Sequence, residues 1–416
     1  MMLLDAAVQQ IALQAGRRGF AVVQTAVARW IREYVQSRRW KEVKQSLREL
    51  GGVSPTAIRR TVERHLPGTA SESEREEVAR VLCNLVQRLH HLDSFGILRT
   101  GTLLAGDLVH SLMEGFEPVM KARRRVAPGQ DWILDAYLGA GGFGEVWRAR
   151  NQNYPLPRAY KFFTSPQATD WMKREAGSLC EVLTRLKDHP NIVEYNDASI
   201  GGEHPYLCFE YVEGGSLFDW IMESPLDRPA LDENELIRGI VNGLAEAHRH
   251  EIAHRDLKPA NILLTAGSDV VPKIADFGLA DCRISQKDTV TTVSTHVALG
   301  GTPMYLPPES YDPFGDRCGL QDDVFALGVT WYQVLVGRLE RPAYDFAEVL
   351  RNEGVDSHVV SMITRCLARP QARFKHAAEL QELLDEVSAP DWDVPEGCFD
   401  VAGIVREYLA VRRLRS

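Results

Sequence analysis

Along the first 120 or so residues, apolar positions recur at the spacings of a helix. In "VVQTAVARWIREYVQSRRWKEVKQSLREL", Val23, Val27, Trp30, Ile31 and Tyr34 fall three and four residues apart, with arginines and lysines between them. "SPTAIRRTVERHL" opens with Ser54, whose hydroxyl can accept from free first-turn amides, and with Pro55, which loses no helical hydrogen bond there. "SESEREEVARVLCNLVQRLHHL" begins with acidic residues suited to a helix N-terminus. It then runs Val78, Val81, Leu82, Leu85, Val86, Leu89. "PGTASESE" (67–74) is the clearest loop between them. The pattern predicts an all-α domain over residues 1–125.

Near "RRRVAPGQDWIL" the period changes. Pro128 and Gly129 break the helix, and the residues after them alternate as strands do. Short strands are predicted over 131–163 and 192–212, joined by a helix, and then mostly helices to about 388. The second domain is therefore placed at 126–388, with its strand-rich part at 126–212 and its helical part at 213–388. A tail, 389–416, contains "PDWDVPEGCFD" and ends in a helix, "VAGIVREYLAVRRLRS".

Composition adds limits. With 416 residues there is room for two cores, and 44% apolar with 25% charged residues is ordinary for a water-facing protein. No apolar run is long enough for a transmembrane helix, and "MMLLDAAVQQIALQAG" lacks the basic start and cleavage site of a signal peptide. Seven single cysteines without a CxxC argue against a disulfide framework or zinc site and suit a cytoplasmic protein. The net charge of −9 is uneven: residues 1–130 hold 20 Lys/Arg against 13 Asp/Glu, and the remainder 28 against 44. The acidic total makes nucleic acid an unexpected partner. The basic first region could instead meet another protein or a second copy of the chain.

The second domain carries the chemistry. "LGAGGFGEV" sets Gly139, Gly141 and Gly144 in G-x-G-x-x-G spacing, where missing side chains let backbone amides approach phosphate oxygens. Dinucleotide-binding folds share that spacing but continue into a helix, whereas "EVWRAR" alternates as a strand. The next strand, "RAYKFF", flanks Lys161 with aromatic and apolar residues, a costly position unless the charge is used or the side chain snorkels out from an edge strand. Downstream, "EIAHRDLKPANILLT" crowds His254, Arg255, Asp256, Lys258 and Asn261 into an otherwise apolar stretch.

Nine motifs stand in one order: the glycine loop, Ala159–Lys161, "HPNIV", "FEYVEGGSL", "HRDLKPAN", "DFG", "GTPMYLPPE", "DVFALG" and the late Arg373. From about residue 131 to 385 the chain resembles the eukaryotic-type Ser/Thr protein kinases. The spare "GGFGEVW" and compact helical half look more like bacterial members than animal ones. The resemblance implies an α+β, bilobal fold behind the all-α domain. It also implies ATP and Mg2+ as cofactors and protein hydroxyls as substrates. Asp256 would face the substrate hydroxyl, Lys258 would steady the γ-phosphate, and Lys161 would hold the α- and β-phosphates. Asn261 and Asp276 would hold metal, oxygen ligands that suit Mg2+. Leu138, Val146, Ala159 and Leu263 would enclose the base behind Phe209, and the backbone of Glu210 and Val212 would read its edge.

Two points depart from the family or stay open. Lys161 needs a carboxylate from the following helix; family spacing lands on Leu179 or Cys180, and the choice falls on Glu175, one turn earlier, over Glu181. Arg158 replaces an apolar residue and is expected to point to solvent. Arg255 before Asp256 implies activation-segment phosphorylation, with Ser294 and Thr295 the candidate acceptors. Thr302 and Pro303 would accept the substrate residue; Glu309–Arg373 and Asp323 would be architectural. The alternative is a pseudokinase scaffold that binds nucleotide or partners. A small-molecule phosphotransferase fits poorly, because "GTPMYLPPE" builds a peptide-accepting surface. Whether residues 1–125 inhibit or dock is left open.

Overall fold

The computed structural model describes residues 53–66 with scattered positions from 8 to 86, then 119–141, 144–223, 228–277, 303–311 and 319–386. These divide into two compact units: Met1–Ala176 with Tyr195–Tyr211 and Met222–Arg228, and Gly177–Glu194 with Val212–Ile221 and Pro229 onward.

In the first unit, α1 (Pro55–His65) starts where the sequence predicts. Ser54 accepts from the Ala57 amide at 3.3 Å, and Ile58, Thr61 and Val62 are buried. The Thr56 amide donates to both carboxylate oxygens of Glu223, at 3.2 and 3.0 Å. A buried carboxylate thus meets the positive end of the helix. The helices expected over 23–49 and 401–416 lie outside the described residues.

A five-stranded antiparallel sheet comes next: β1 (Ile133–Gly141), β2 (Gly144–Asn151), β3 (Tyr154–Phe163), β4 (Tyr195–Ser199) and β5 (Tyr206–Glu210), in the order β1-β2-β3-β5-β4. Strand alternation splits its residues between two faces. One face carries a core of Trp132, Leu134, Tyr137, Trp147, Ala149, Tyr160, Phe162, Tyr206 and Cys208. Met120 and Val126 join that core from a strap ahead of β1. The strap pairs along β1: the Arg123 amide donates to the Leu134 carbonyl at 2.7 Å and the Val126 amide to Trp132 at 2.9 Å. The division expected near residue 126 runs through this strap. Arg158 does not point away into solvent; its guanidinium lies 4.8 Å from the Trp132 ring centre and 5.9 Å from that of Tyr154. Cation–π attraction and stem packing account for the difference.

Helix α2 (Pro166–Arg185) leaves the sheet with Ala168, Trp171, Met172, Ala176, Leu179 and Leu183 buried at helical spacing.

The second unit is mainly helical, with α3 (Leu217–Met222) entering it, α4 (Glu233–Arg249), α5 (Gly319–Val336), α6 (Phe346–Asn352), α7 (Ser357–Leu367) and α8 (Ala377–Glu386). A two-stranded ribbon, β6 (Ile262–Leu264) and β7 (Pro272–Ile274), packs on α4. Gly243 permits a close approach there, since a β-carbon would lie 2.7 Å from the Asn191 carbonyl oxygen. Residues 323–334 of α5 are all buried, which makes it the central helix. Among the described residues no helix is long and apolar enough to cross a membrane.

Candidate active site

The site residues fall in both units and are described within each. In the first, Leu138, Gly139 and Gly141 end β1 and Gly144 opens β2. Gly144 has φ 150°, and a β-carbon there would lie 1.9 Å from the Phe162 carbonyl oxygen, so only glycine fits. Register sets Val146 opposite Lys161 and Lys161 opposite Leu207. The next row sets Arg148 opposite Ala159 and Ala159 opposite Phe209. Val146, Ala159 and Lys161 therefore share the sheet face that the aromatic core does not use, and Lys161 is buried on it. Glu210 closes β5, and Val212 just beyond it is buried.

Glu175 is exposed and makes no ion pair among the described residues, although it flanks the buried stripe between Met172 and Leu179. Glu181 pairs with Arg185 at 2.6 Å, one turn on. The rotation of α2 is set by Trp171, Met172 and Leu179, and it leaves Glu175 at the edge of the packed stripe.

In the second unit the loop over residues 254–261 hangs from one buried carboxylate. Asp323 accepts from the His254 amide at 2.6 Å and the Arg255 amide at 2.7 Å. Arg255 takes φ 63°, a costly left-handed conformation that these bonds stabilise. His254 accepts the Asp256 amide at Nδ1 (3.2 Å), so Nε2 carries the proton and donates to the Ala275 carbonyl at 2.7 Å. Its ring meets Phe277 edge-on at 4.8 Å. A short 3-10 turn, Pro259–Asn261, leads into β6, where Leu263 is half-buried.

That frame fixes Asp256. Lys258 Nζ donates to Asp256 Oδ2 at 2.9 Å, and Asn261 Nδ2 donates to the same oxygen at 3.1 Å and to the Asp256 carbonyl at 2.8 Å. With Nδ2 committed, Asn261 presents Oδ1 as a hard oxygen ligand. The Asn261 carbonyl accepts the Ala275 amide at 2.8 Å, which ties the loop to Asp276. Asp276 takes φ 70°. A carboxylate and an amide oxygen are donor types that suit a divalent cation.

Arg373 and Glu309 pair at 2.7 Å, and Arg373 also donates to the Ala368 carbonyl from Nε and NH2. Pro303 begins a 3-10 turn, while Thr302, Ser294 and Thr295 lie outside the described residues.

Two residues went unnoticed in the sequence. His248 accepts the Ala377 amide at Nδ1 (2.9 Å) and donates from Nε2 to Asp323 at 3.1 Å, linking α8 to the loop's anchor. Its signal was available: a histidine four residues after Leu244 on an apolar stripe, and so bound for burial. Asp322 is the other. Burial, then Asp323 and Glu309, push its carboxyl up to about 6 against the pull of Arg373 and Ser310. The native state therefore binds this proton more tightly than the unfolded chain, so stability from this group is full below about pH 4 and is lost as pH rises through about 6. Asp322→Asn is expected to raise unfolding free energy by about 1–3 kcal/mol at about pH 7.5 and to give no gain near pH 4. Urea unfolding at the two pH values checks it; an equal gain at both would contradict the burial account.

With the geometry in place, comparison with known proteins is direct. The protein kinase domain family model matches residues 132–391, and the chain belongs to that family. It is 33% identical over 208 residues to the serine/threonine-protein kinase pkn2 of Myxococcus xanthus, covering 49% of this chain and 24% of that protein. It is 31% identical over 289 residues to PknL of Mycobacterium tuberculosis, covering 64% of this chain and 68% of that kinase. PknB of Mycobacterium leprae is 30% identical over 60% of this chain and 41% of its own length. The chain thus carries a protein serine/threonine kinase domain, although it spans only about a quarter of the Myxococcus relative.

Proposed function

We propose that the protein is an ATP- and Mg2+-dependent serine/threonine kinase that phosphorylates protein hydroxyls and its own activation segment. The observation that carries this reading is the convergence of Lys258 and Asn261 on Asp256 Oδ2, which holds the carboxylate ready to receive a substrate hydroxyl. Asp256 orients that hydroxyl and takes its proton as the bond to the γ-phosphorus forms. Lys258 and Lys161 balance phosphate charge; Leu138, Val146, Ala159 and Leu263 hold the base, with Glu210 and Val212 at its edge. Asn261 and Asp276 would hold Mg2+, which neutralises charge on the β- and γ-phosphates. Gly139, Gly141 and Gly144 let backbone amides reach those oxygens. Ser294 and Thr295 are the proposed autophosphorylation acceptors, with Arg255 receiving the phosphate. Residues 1–125 are proposed to regulate the kinase or to dock a protein partner or a second copy.

One observation favours a second reading, a nucleotide-binding pseudokinase: Glu175 is exposed and Glu181 is engaged by Arg185. Under the first reading, Glu175 reaches Lys161 after a small rotation of α2, which its place at the edge of the packed stripe allows. The two readings part on one experiment. The full chain with labelled ATP is expected to incorporate phosphate with Mg2+ and to lose at least about 10²-fold of that rate with EDTA. Nucleotide binding without any incorporation would favour the pseudokinase.

A further inference from the structure

Glu145 lies between Gly144 and Val146, on the strand that continues from the glycine turn. It is 2% exposed. Alternation puts it on the aromatic face with Trp147 and Ala149, opposite to the face of Val146 and Lys161. A carboxylate in that core is costly unless its oxygens are satisfied. Three donors do so: the amides of Val119 (2.5 Å) and Met120 (3.1 Å), and the Trp147 indole nitrogen (3.0 Å). Two of the three come from the strap, 25 and 26 residues upstream, at the point where the first region of the chain joins the sheet. Met120 is buried in the core beside it, while the Val119 side chain is exposed.

We propose that Glu145 is a positioning residue for the glycine-rich hairpin, holding it in its nucleotide-binding shape only while the amides of Val119 and Met120 are seated. With the strap withdrawn, the carboxylate keeps one donor and turns out towards water. Strand alternation then turns Val146 and the amides after Gly144 away from their places. The strap is thereby the path along which an event in residues 1–118 changes nucleotide affinity. This rests on the nucleotide-binding reading of the same hairpin.

The test uses the full chain and calorimetric titration with Mg–ADP. Val119→Pro removes one donor and leaves Met120 in place, and Glu145→Gln keeps the shape but loses one acceptor oxygen. Each is expected to weaken Mg–ADP binding by about five- to tenfold, and the double variant by no more than the larger of the two single effects, because both break one linkage. The rate of phosphate incorporation at saturating ATP should change less than about twofold, a split that places the effect on binding rather than transfer. Leu134→Ala is the control: it weakens the same core without removing a donor, and should lower Tm while leaving Mg–ADP affinity unchanged. If Val119→Pro fails to fold, Glu145→Gln carries the test. Unchanged affinity in the folded variants, with wild type binding normally, overturns the positioning role alone. A wild-type chain that binds no Mg–ADP overturns the nucleotide reading and this proposal together.

Discussion

Asp256→Asn in the full chain is expected to lower phosphate transfer by about 10²- to 10⁴-fold while leaving Mg–ADP affinity within about twofold. The substitution keeps the size of the side chain. It replaces a carboxylate oxygen, which now receives Lys258 and Asn261 Nδ2, with a group that cannot take a proton from the substrate. Binding should survive because Val146, Ala159 and Lys161, the residues proposed to face base and phosphate, stand on the sheet, away from this loop in sequence. Initial rates against ATP concentration, with a parallel Mg–ADP titration, check both halves. A variant that transfers phosphate as fast as wild type would remove Asp256 from the chemistry. One that loses nucleotide binding as well would show that the loop has collapsed.

The second large effect is on Asp323. Asp323→Asn keeps one acceptor oxygen and turns an amide nitrogen towards donors now satisfied by a carboxylate: the His254 and Arg255 amides and His248 Nε2. All of this is buried; the Asp323 side chain is 1% exposed and that of His248 is fully covered. Facing a donor with a donor in such a place costs about 3 kcal/mol, or roughly 6–12 °C in Tm for a domain of this size. Arg255 would also lose the bond that offsets its left-handed backbone, so transfer should fall with stability. Differential scanning calorimetry measures the first part. A Tm within about 2 °C of wild type would mean the loop is held by something other than Asp323.

What the sequence made legible is what local chemistry dictates. The sheet was readable because alternation over 131–163 survives as β1 to β3, and α1 because Ser54 and Pro55 make a start signal that needs no tertiary partner. The 254–261 loop was readable for the same reason: Asp256, Lys258 and Asn261 meet across five residues. What stayed hidden depends on distant partners. Nothing near Glu145 announces that its acceptors will be filled by amides from 119 and 120, and Arg158 was expected at solvent because Trp132 lies 26 residues away. Glu175 marks the limit most clearly. Spacing can put it on a turn near the buried stripe, but the rotation of α2 is settled by how Trp171 and Met172 pack.

The proposed reaction passes phosphate from ATP to serine and threonine hydroxyls through Asp256. The most direct measurement is labelled-ATP incorporation by the full chain, followed by phosphoamino-acid analysis, with wild type and Asp256→Asn side by side. Mg2+-dependent phosphoserine and phosphothreonine are expected in wild type and almost none in the variant. Equal labelling of both proteins, or label confined to tyrosine, would contradict the proposed reaction.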